Sequence, residues 1–158
     1  MNIIGVIPAR MGSTRFPGKP MKKIHGMPMI GHCYHRTAIA LGVDATYVAT
    51  CDIEIAEYIN SIGGHAIMTS NTHTRATTRT AEALEKIEQE TDEKVDIVVM
   101  VQGDEPLILP ETIREVTPEF KDKSVNIVNI MSRLTTEESF KDVNNVKVVV
   151  GNYDTTAL

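Results

Sequence analysis

"NIIGVIPARMGSTRFPGKP", residues 2–20, passes from a β-branched apolar run into a loop of glycines, hydroxyls and cations. Residues 2–7 read as a strand buried on both faces, ended by Pro8. A strand of that kind is characteristic of a parallel sheet covered by helices, so the opening of the chain predicts an α/β fold. In such sheets ligands bind beyond the carboxyl ends of the strands. The loop that follows, to about Lys19, is therefore the first candidate for a site.

The loop is not a Walker A phosphate loop. That motif has four residues between its glycines and then Gly-Lys-Ser/Thr, whereas Gly12 and Gly18 are separated by five residues and Pro20 follows Lys19. A dinucleotide fingerprint Gly-x-Gly-x-x-Gly is also absent. The composition nevertheless suits a polyphosphate. Gly12 and Gly18 permit close backbone approach, Ser13 and Thr14 offer hydroxyls, and Arg10, Arg15 and Lys19 gather three fixed positive charges. A solvated basic loop is the plainer alternative.

Outward from this loop the pattern alternates. Residues 21–24 read as extended, His25-Gly26 as a turn, and a helix is predicted from Pro28 to Leu41 with Gly42 as its stop. Ile30, Tyr34, Thr37, Ala38 and Leu41 fall on one helical face. Residues 45–51 read as a strand, and Asp52 as the cap of a helix through Ile62, ended by Gly63-Gly64. Residues 65–69 form a third strand, 70–78 a polar loop and 79–89 a helix. Residues 95–101, "VDIVVMV", are the most apolar run and the candidate central strand. A helix over 110–116 and strands over 125–130 and 146–150 complete the pass. A turn at 152–154 precedes what reads as the start of a further strand, where the sequence stops in mid-element. Strands alternating with helices imply βαβ units and a mainly parallel sheet.

The second chemical signal is "QGDEP", residues 102–106, at the end of the candidate central strand. Asp104 there would ligate a hard cation such as Mg²⁺; an ordinary Gly-Asp turn is the alternative. A triphosphate loop and a carboxylate together suggest metal-assisted nucleotidyl transfer.

The bulk numbers narrow the classes. The chain has 158 residues, 42% apolar and 23% charged, as expected of one globular domain. A net charge of −5 and only 4% aromatics argue against nucleic acid as a partner. Cys33 and Cys51 form no CxxC pair and read as small buried residues in a reducing compartment. The amino-terminal apolar run is too short for a signal peptide and nothing approaches a membrane span, so a cytoplasmic setting is expected.

Three stretches, "IPARMGSTRFPGKPMKKIHGMPMIGH" (7–32), "VATCD" (48–52) and "VQGDEPLI" (101–108), together resemble the cytidylyltransferases that make CMP-sugars, most of all those acting on 3-deoxy-manno-octulosonate; "NNVKVVV" (144–150) is similar to a later segment of the same enzymes. The resemblance implies a Rossmann-like three-layer nucleotidyltransferase fold with a mainly parallel sheet. Residues 1–158 would be a single nucleotide-binding domain lacking the carboxyl-terminal part of the family fold. It implies transfer of CMP from CTP to an acidic keto-sugar with release of pyrophosphate, chemistry of the lipopolysaccharide pathway. By the same resemblance Arg10 and Lys19 hold the triphosphate as catalytic residues, helped by Gly12, Ser13, Thr14 and Arg15. Asp104 binds Mg²⁺ and is the third catalytic residue. Gln102 and Arg79 face the sugar, and Ala9, Ala76 and Thr77 lie by the nucleotide. Family members are longer; their remaining part carries further sugar contacts, a homodimer interface and a second metal-binding aspartate. The chain alone is accordingly expected to be a poor catalyst.

One segment departs from the family pattern. Where the family usually reads His-x-Ser-Gly-Thr-Asp/Glu-Arg, residues 73–79 read His-Thr-Arg-Ala-Thr-Thr-Arg. His73, Thr77 and Arg79 match, whereas Arg75, Ala76 and Thr78 do not. The change removes a permissive glycine and an acid and adds a cation, which puts base and sugar choice at issue. The altered loop and the early stop also favour an alternative, a non-catalytic nucleotide-binding or scaffold protein on the same fold; retention of Arg10, Lys19 and Asp104 disfavours it.

The remaining motifs read as structural. His32 and His35 lie on one helix without a second pair of metal ligands at a usual spacing. Met21, Met27 and Met29 read as gap fillers near the loop. Glu82 and Lys86 read as an i,i+4 surface pair and nothing more.

Overall fold

The computed structural model describes residues 1–12 and 16–148. The elements in chain order are β1 (Ile3–Ala9), β2 (Lys23–Ile24), β3 (Met27–Pro28), α1 (Met29–Ala38), β4 (Ala45–Thr50), α2 (Ile53–Ser61), β5 (His65–Met68), α3 (Ala76–Thr91), β6 (Ile97–Met100), α4 (Pro110–Val116) and α5 (Glu137–Lys141). Four strands form a parallel sheet in the order β5-β4-β1-β6, and β2 with β3 makes a small antiparallel hairpin. The predicted His25-Gly26 turn closes that hairpin, with positive φ at both residues.

The core has two halves, one on each face of the sheet. Ile7, Val48 and Val101 meet Ile30 and Cys33 of α1, Ile55 and Ile59 of α2, and Ile113 of α4. Ile4, Val6, Ala49 and Ile67 meet Ala83 and Ile87 of α3. Alternate residues of β1 thus enter opposite layers, which is why all seven of its residues are buried. Each fully buried isoleucine contributes about 1.5–3 kcal/mol, so this sandwich of helices around four strands carries the stability.

Several expectations are corrected. β1 runs through Pro8 to Ala9 instead of ending at Pro8. The carbonyl of Val6 accepts from Val101 N, so even-numbered residues of β1 face β6. Pairing with β6 stops at Val6, opposite Met100, and Pro8 therefore lacks an N–H only where no ladder partner waits. α1 ends at Ala38, so Leu41 is exposed, and the buried stripe is Ile30, Cys33 and Thr37. α3 begins three residues earlier than the apolar pattern suggested. β6 lies at an end of the described sheet and not in its middle; its apolar run reflects burial against α3 and β1, and Met100 is already 36% exposed.

The strand expected over 125–130 does not form, and 146–148 is irregular too. Ile127 and Ile130 stay largely exposed. β-propensity makes a strand only where a partner strand is paired, and this segment pairs with none in the described sheet. The expectations for residues 149–158, including the 152–154 turn, lie outside the described residues, as do Ser13, Thr14 and Arg15. Among the described residues no helix is long and apolar enough to cross a membrane.

Candidate active site

The chain goes from β1 outward to β4 and β5, then returns to place β6 on the other side of β1. That reversal opens a crevice at the carboxyl ends of β1 and β6, the place where an α/β sheet binds ligands. A cavity of about 700 Å³ lies there. Three walls form it: the loop after β1, the turn after β6, and the segment that leads into α3.

The turn after β6 comes close to β1 because Gly103 has no side chain. A Cβ on Gly103 would stand 2.8 Å from the Pro8 carbonyl oxygen and 3.2 Å from the Ala9 Cβ. This contact sets Gln102 and Asp104 on the rim, both solvent-accessible.

The loop after β1 is pinned at its backbone. Met11 N donates to Asp52 Oδ2 at 2.8 Å, and Met11 O accepts from Gly18 N at 3.0 Å. Asp52 occupies the N-cap position of α2 but makes no capping bond; its carboxylate is committed to the loop instead. Gly18 has φ 69°, a left-handed turn that suits glycine, and starts a short 3-10 turn over Lys19–Met21. That turn aims Lys19 across the cavity, where its Nζ lies 2.7 Å from Asp104 Oδ2. Gly12 meets nothing within 4 Å, so its face is open to an approaching ligand. Gly18, in contrast to the expectation, serves the turn and does not line the cavity.

The third wall is held by Glu82, on α3. Its carboxylate accepts from Ser70 N at 2.9 Å and pairs with His73 Nε2 at 2.5 Å and Lys86 Nζ at 2.8 Å. These bonds, Lys86 first, then the Ser70 amide and His73, hold its pKa down at about 2. The His73 carbonyl accepts from Arg10 Nη1 at 3.5 Å. Glu82 is therefore more than the surface pair that the sequence suggested. Its spacing to Lys86 was legible, whereas its bonds to residues 70 and 73 depend on how the loop folds back.

Arg79 is buried, with 3% exposure, yet lines the cavity. It donates to Thr69 Oγ1 and, at 3.5 Å, to Cys51 Sγ. Among the described residues no carboxylate forms an ion pair with it. A buried guanidinium without an acid is costly unless a ligand supplies the anion. The amino terminus of α3 opens on the same space through Arg75 and Ala76, without a side-chain cap and without an acid in its first turn. Its free amides add positive potential.

Among the described residues the cavity thus collects Arg10, Lys19, Arg75 and Arg79 against a single acid, Asp104, in a chain of net charge −5. Of the residues expected at the site, Ala9, Arg10, Gly12, Lys19, Ala76, Arg79, Gln102 and Asp104 line it; Thr77, on the exposed side of the first turn of α3, does not. Arg75 was not expected there, although its departure from the family pattern marked the position. Phe16, His73 and Thr74 also join the walls.

Asp104 is a hard oxygen donor that suits Mg²⁺. Among the described residues no group of three or more His, Cys, Asp or Glu side chains could hold a metal ion. His32 is bonded to the Ile24 carbonyl and His35 packs edge-on against Tyr34, away from such a role. Cys33 is fully buried under the turn after β6, and desolvation pushes its thiol up to about 11, so it stays protonated.

Comparison with known proteins puts this geometry in context. The family model described as cytidylyltransferase matches residues 4–157. A 3-deoxy-manno-octulosonate cytidylyltransferase of Bradyrhizobium diazoefficiens is 46% identical over 147 residues, 93% of this chain and 58% of that protein. An 8-amino-3,8-dideoxy-manno-octulosonate cytidylyltransferase of Shewanella loihica is 38% identical over 154 residues, 96% of this chain and 62% of that one. Among solved structures, CMP:2-keto-3-deoxy-manno-octonic acid synthetase complexed with CTP superposes with a TM-score of 0.71 at 39% identity, over 78% of this chain and 49% of that one. The chain therefore spans about three fifths of the length of the curated relatives it matches.

Proposed function

This chain belongs to the cytidylyltransferase family, and on that premise we propose that residues 1–158 form a nucleotide-binding domain that transfers CMP from CTP to an acidic keto-sugar of the 3-deoxy-manno-octulosonate type. The observation that carries the reading is the concentration of four cations and one rim carboxylate in a single cavity at the switch point of the sheet. Such a cavity suits a ligand with several negative charges, as CTP and a sugar acid both are.

In this reading Arg10 and Lys19 grip the β- and γ-phosphates. They stabilise the charge that grows on pyrophosphate as it leaves. The anomeric hydroxyl oxygen of the sugar attacks the α-phosphorus in line, the bond from that phosphorus to the bridging oxygen breaks, pyrophosphate leaves with that oxygen, and the hydroxyl proton passes to solvent. Arg79 and Gln102 orient the sugar acid, while Ala9, Gly12 and Ala76 make room for the nucleotide; Ser13, Thr14 and Arg15 belong to the same assignment. Orientation of this kind carries a large share of the rate in two-substrate transfers. Mg²⁺, held by Asp104, would supply charge neutralisation across the phosphates.

A cytoplasmic setting accords with the two free thiols, and a homodimer with the apolar side chains exposed at Ile127, Ile130, Phe140 and Val143. The test is pyrophosphate release with CTP and Mg²⁺ on a panel of acidic sugars that includes both octulosonates named above. Release that needs CTP and one of these sugars supports the reading, and none with any sugar defeats it. The replacement at Arg75 and Ala76 keeps a second reading in play, a nucleotide-binding protein without turnover. CTP binding without pyrophosphate release would select it.

A further inference from the structure

Glu82 does not line the cavity, yet its bonds run into two of the cavity's cations. Its carboxylate fastens the Ser70 amide through both oxygens, at 2.9 and 3.1 Å, and the His73 ring at 2.5 Å. From His73 the connection divides. One branch leaves through Nδ1, which meets Thr78 Oγ1 at 3.0 Å; that hydroxyl donates to the Arg75 carbonyl at 3.0 Å and so fixes the residue that precedes α3. The other leaves through the His73 carbonyl, which receives the Arg10 guanidinium.

Residues 70–75 have no strand or helix of their own. Their conformation must come from side-chain bonds, and Glu82 supplies three of these at one point. A partly exposed pair with Lys86 would by itself contribute little. A carboxylate that holds a backbone amide and a ring at once does more, because charge-assisted bonds are the stronger kind. Arg10 is otherwise a long exposed side chain with much rotamer freedom to lose when it grips an anion. The His73 carbonyl removes part of that freedom beforehand, provided that the wall which carries it is fixed.

We propose that Glu82 is a positioning residue of the anion site: through His73 it holds the 70–75 wall and presets the guanidinium of Arg10 for a nucleoside triphosphate. This rests on the reading of the cavity given above. The test measures CTP binding with Mg²⁺ by calorimetry for the parent protein, Glu82→Ala, Arg10→Ala and the double variant, together with amide hydrogen exchange. Glu82→Ala is expected to weaken CTP binding about tenfold, the scale of one charge-assisted bond. In the Arg10→Ala background the same change should cost less than about threefold, because residues that act through one another are not additive. Amides from 70 to 75 should exchange faster in Glu82→Ala while those of β1 and β4 keep their rates. Should Glu82→Ala fail to fold, the isosteric Glu82→Gln, which keeps an acceptor for Ser70, carries the same comparison with a smaller loss. Equal losses in both backgrounds, or unaltered exchange over 70–75, overturn the proposal. If the parent protein binds no CTP, the nucleotide reading falls, and the exchange data alone decide whether Glu82 holds the wall.

Discussion

Lys19 Nζ lies 2.7 Å from Asp104 Oδ2 and so joins the loop after β1 to the turn after β6 across the mouth of the cavity. The two side chains are 36% and 50% exposed. An ion pair so open to water contributes only about 0.2–1 kcal/mol to folding. Its position between two candidate ligand-binding groups says more than its energy. A triphosphate would compete for Lys19 and a hard cation for Asp104, and each would release the partner of the other. Lys19→Ala is therefore expected to lower kcat/KM for CTP by about 10²- to 10³-fold, the cost of one electrostatic donor. Its melting temperature should fall by less than about 4 °C. Pyrophosphate release and a thermal melt check both halves, and an unchanged kcat/KM would remove Lys19 from the mechanism.

Asp52 ties the same loop from beneath. Asp52→Ala leaves the Met11 amide without its acceptor and should cost about 1–3 kcal/mol, with a raised KM for CTP. Asp52→Asn keeps an acceptor oxygen and should recover most of both. Urea midpoints and CTP titrations measure this. Equal behaviour of Ala and Asn at this position would mean that the bond to Met11 is not what matters.

Much of this arrangement was readable in advance. β1 and the basic loop stand together in sequence, so local pattern was enough to set Arg10, Lys19 and a following turn in one place. Asp104 was readable too, because a Gly-Asp turn ends an apolar run. Asp52 and Glu82 were misjudged for a shared reason. Each sits at a position with a common local role, a helix cap and an i,i+4 pair; Asp52 spends its carboxylate on Met11 instead, and Glu82 keeps its pair with Lys86 but adds bonds to Ser70 and His73. The place of β6 at an end of the described sheet was missed because burial on both faces looks the same in sequence for such a strand, covered by a helix, as for a central one. The segment over 125–130 has strand-forming residues but pairs with no strand of the described sheet, which no local pattern reveals.

The 73–79 segment should govern choice of substrate. Arg75 lies on the cavity wall and Ala76 opens α3 there. Replacing Arg75 by Ser removes one of four cavity cations, and Ala76→Gly frees the backbone at the helix start. The double variant should shift the ratio of kcat/KM values among acidic sugars by about tenfold or more toward 3-deoxy-manno-octulosonate, if the parent prefers another acid; loss of one charged contact has that scale. A sugar profile indifferent to both changes would exclude the segment from specificity.

Glu82 also makes a pH prediction. Its bonds to Lys86, Ser70 and His73 lower its pKa from 4.5 to about 2. A carboxylate depressed on folding stabilises the native state above its unfolded pKa, and that stability drains away as pH falls toward the folded value. The acid limb of the stability curve should therefore drop between about pH 4.5 and pH 2. Glu82→Gln, which cannot titrate, should flatten that limb while leaving the slope above pH 5 much as it was. Chemical denaturation at several pH values decides it; an identical acid limb in the two proteins would contradict the role assigned to these bonds.

The contact between Gly103 and Pro8 offers the sharpest structural test. The rim that carries Gln102 and Asp104 rests directly on β1, and a Cβ at position 103 would stand 2.8 Å from the Pro8 carbonyl oxygen and 3.4 Å from Ile30 Cδ1. The isoleucine end can turn aside, but the carbonyl belongs to a strand paired with β4 and cannot. Gly103 is not among the glycines with positive φ, so the difficulty is one of space and not of conformation. The turn must therefore lift away from β1. Gly103→Ala should cost about 1–3 kcal/mol, the usual penalty of overpacking. It should also displace Asp104 from Lys19 and widen the crevice at its mouth. In a melt the loss would appear as a fall of about 2–12 °C for a domain of this size. Turnover should drop further than stability does, because a shift of about 1 Å in a positioned group can cost about a hundredfold in rate. A variant with parental stability and turnover would show that the turn after β6 tolerates a side chain, and that the close approach to Pro8 does not set the rim.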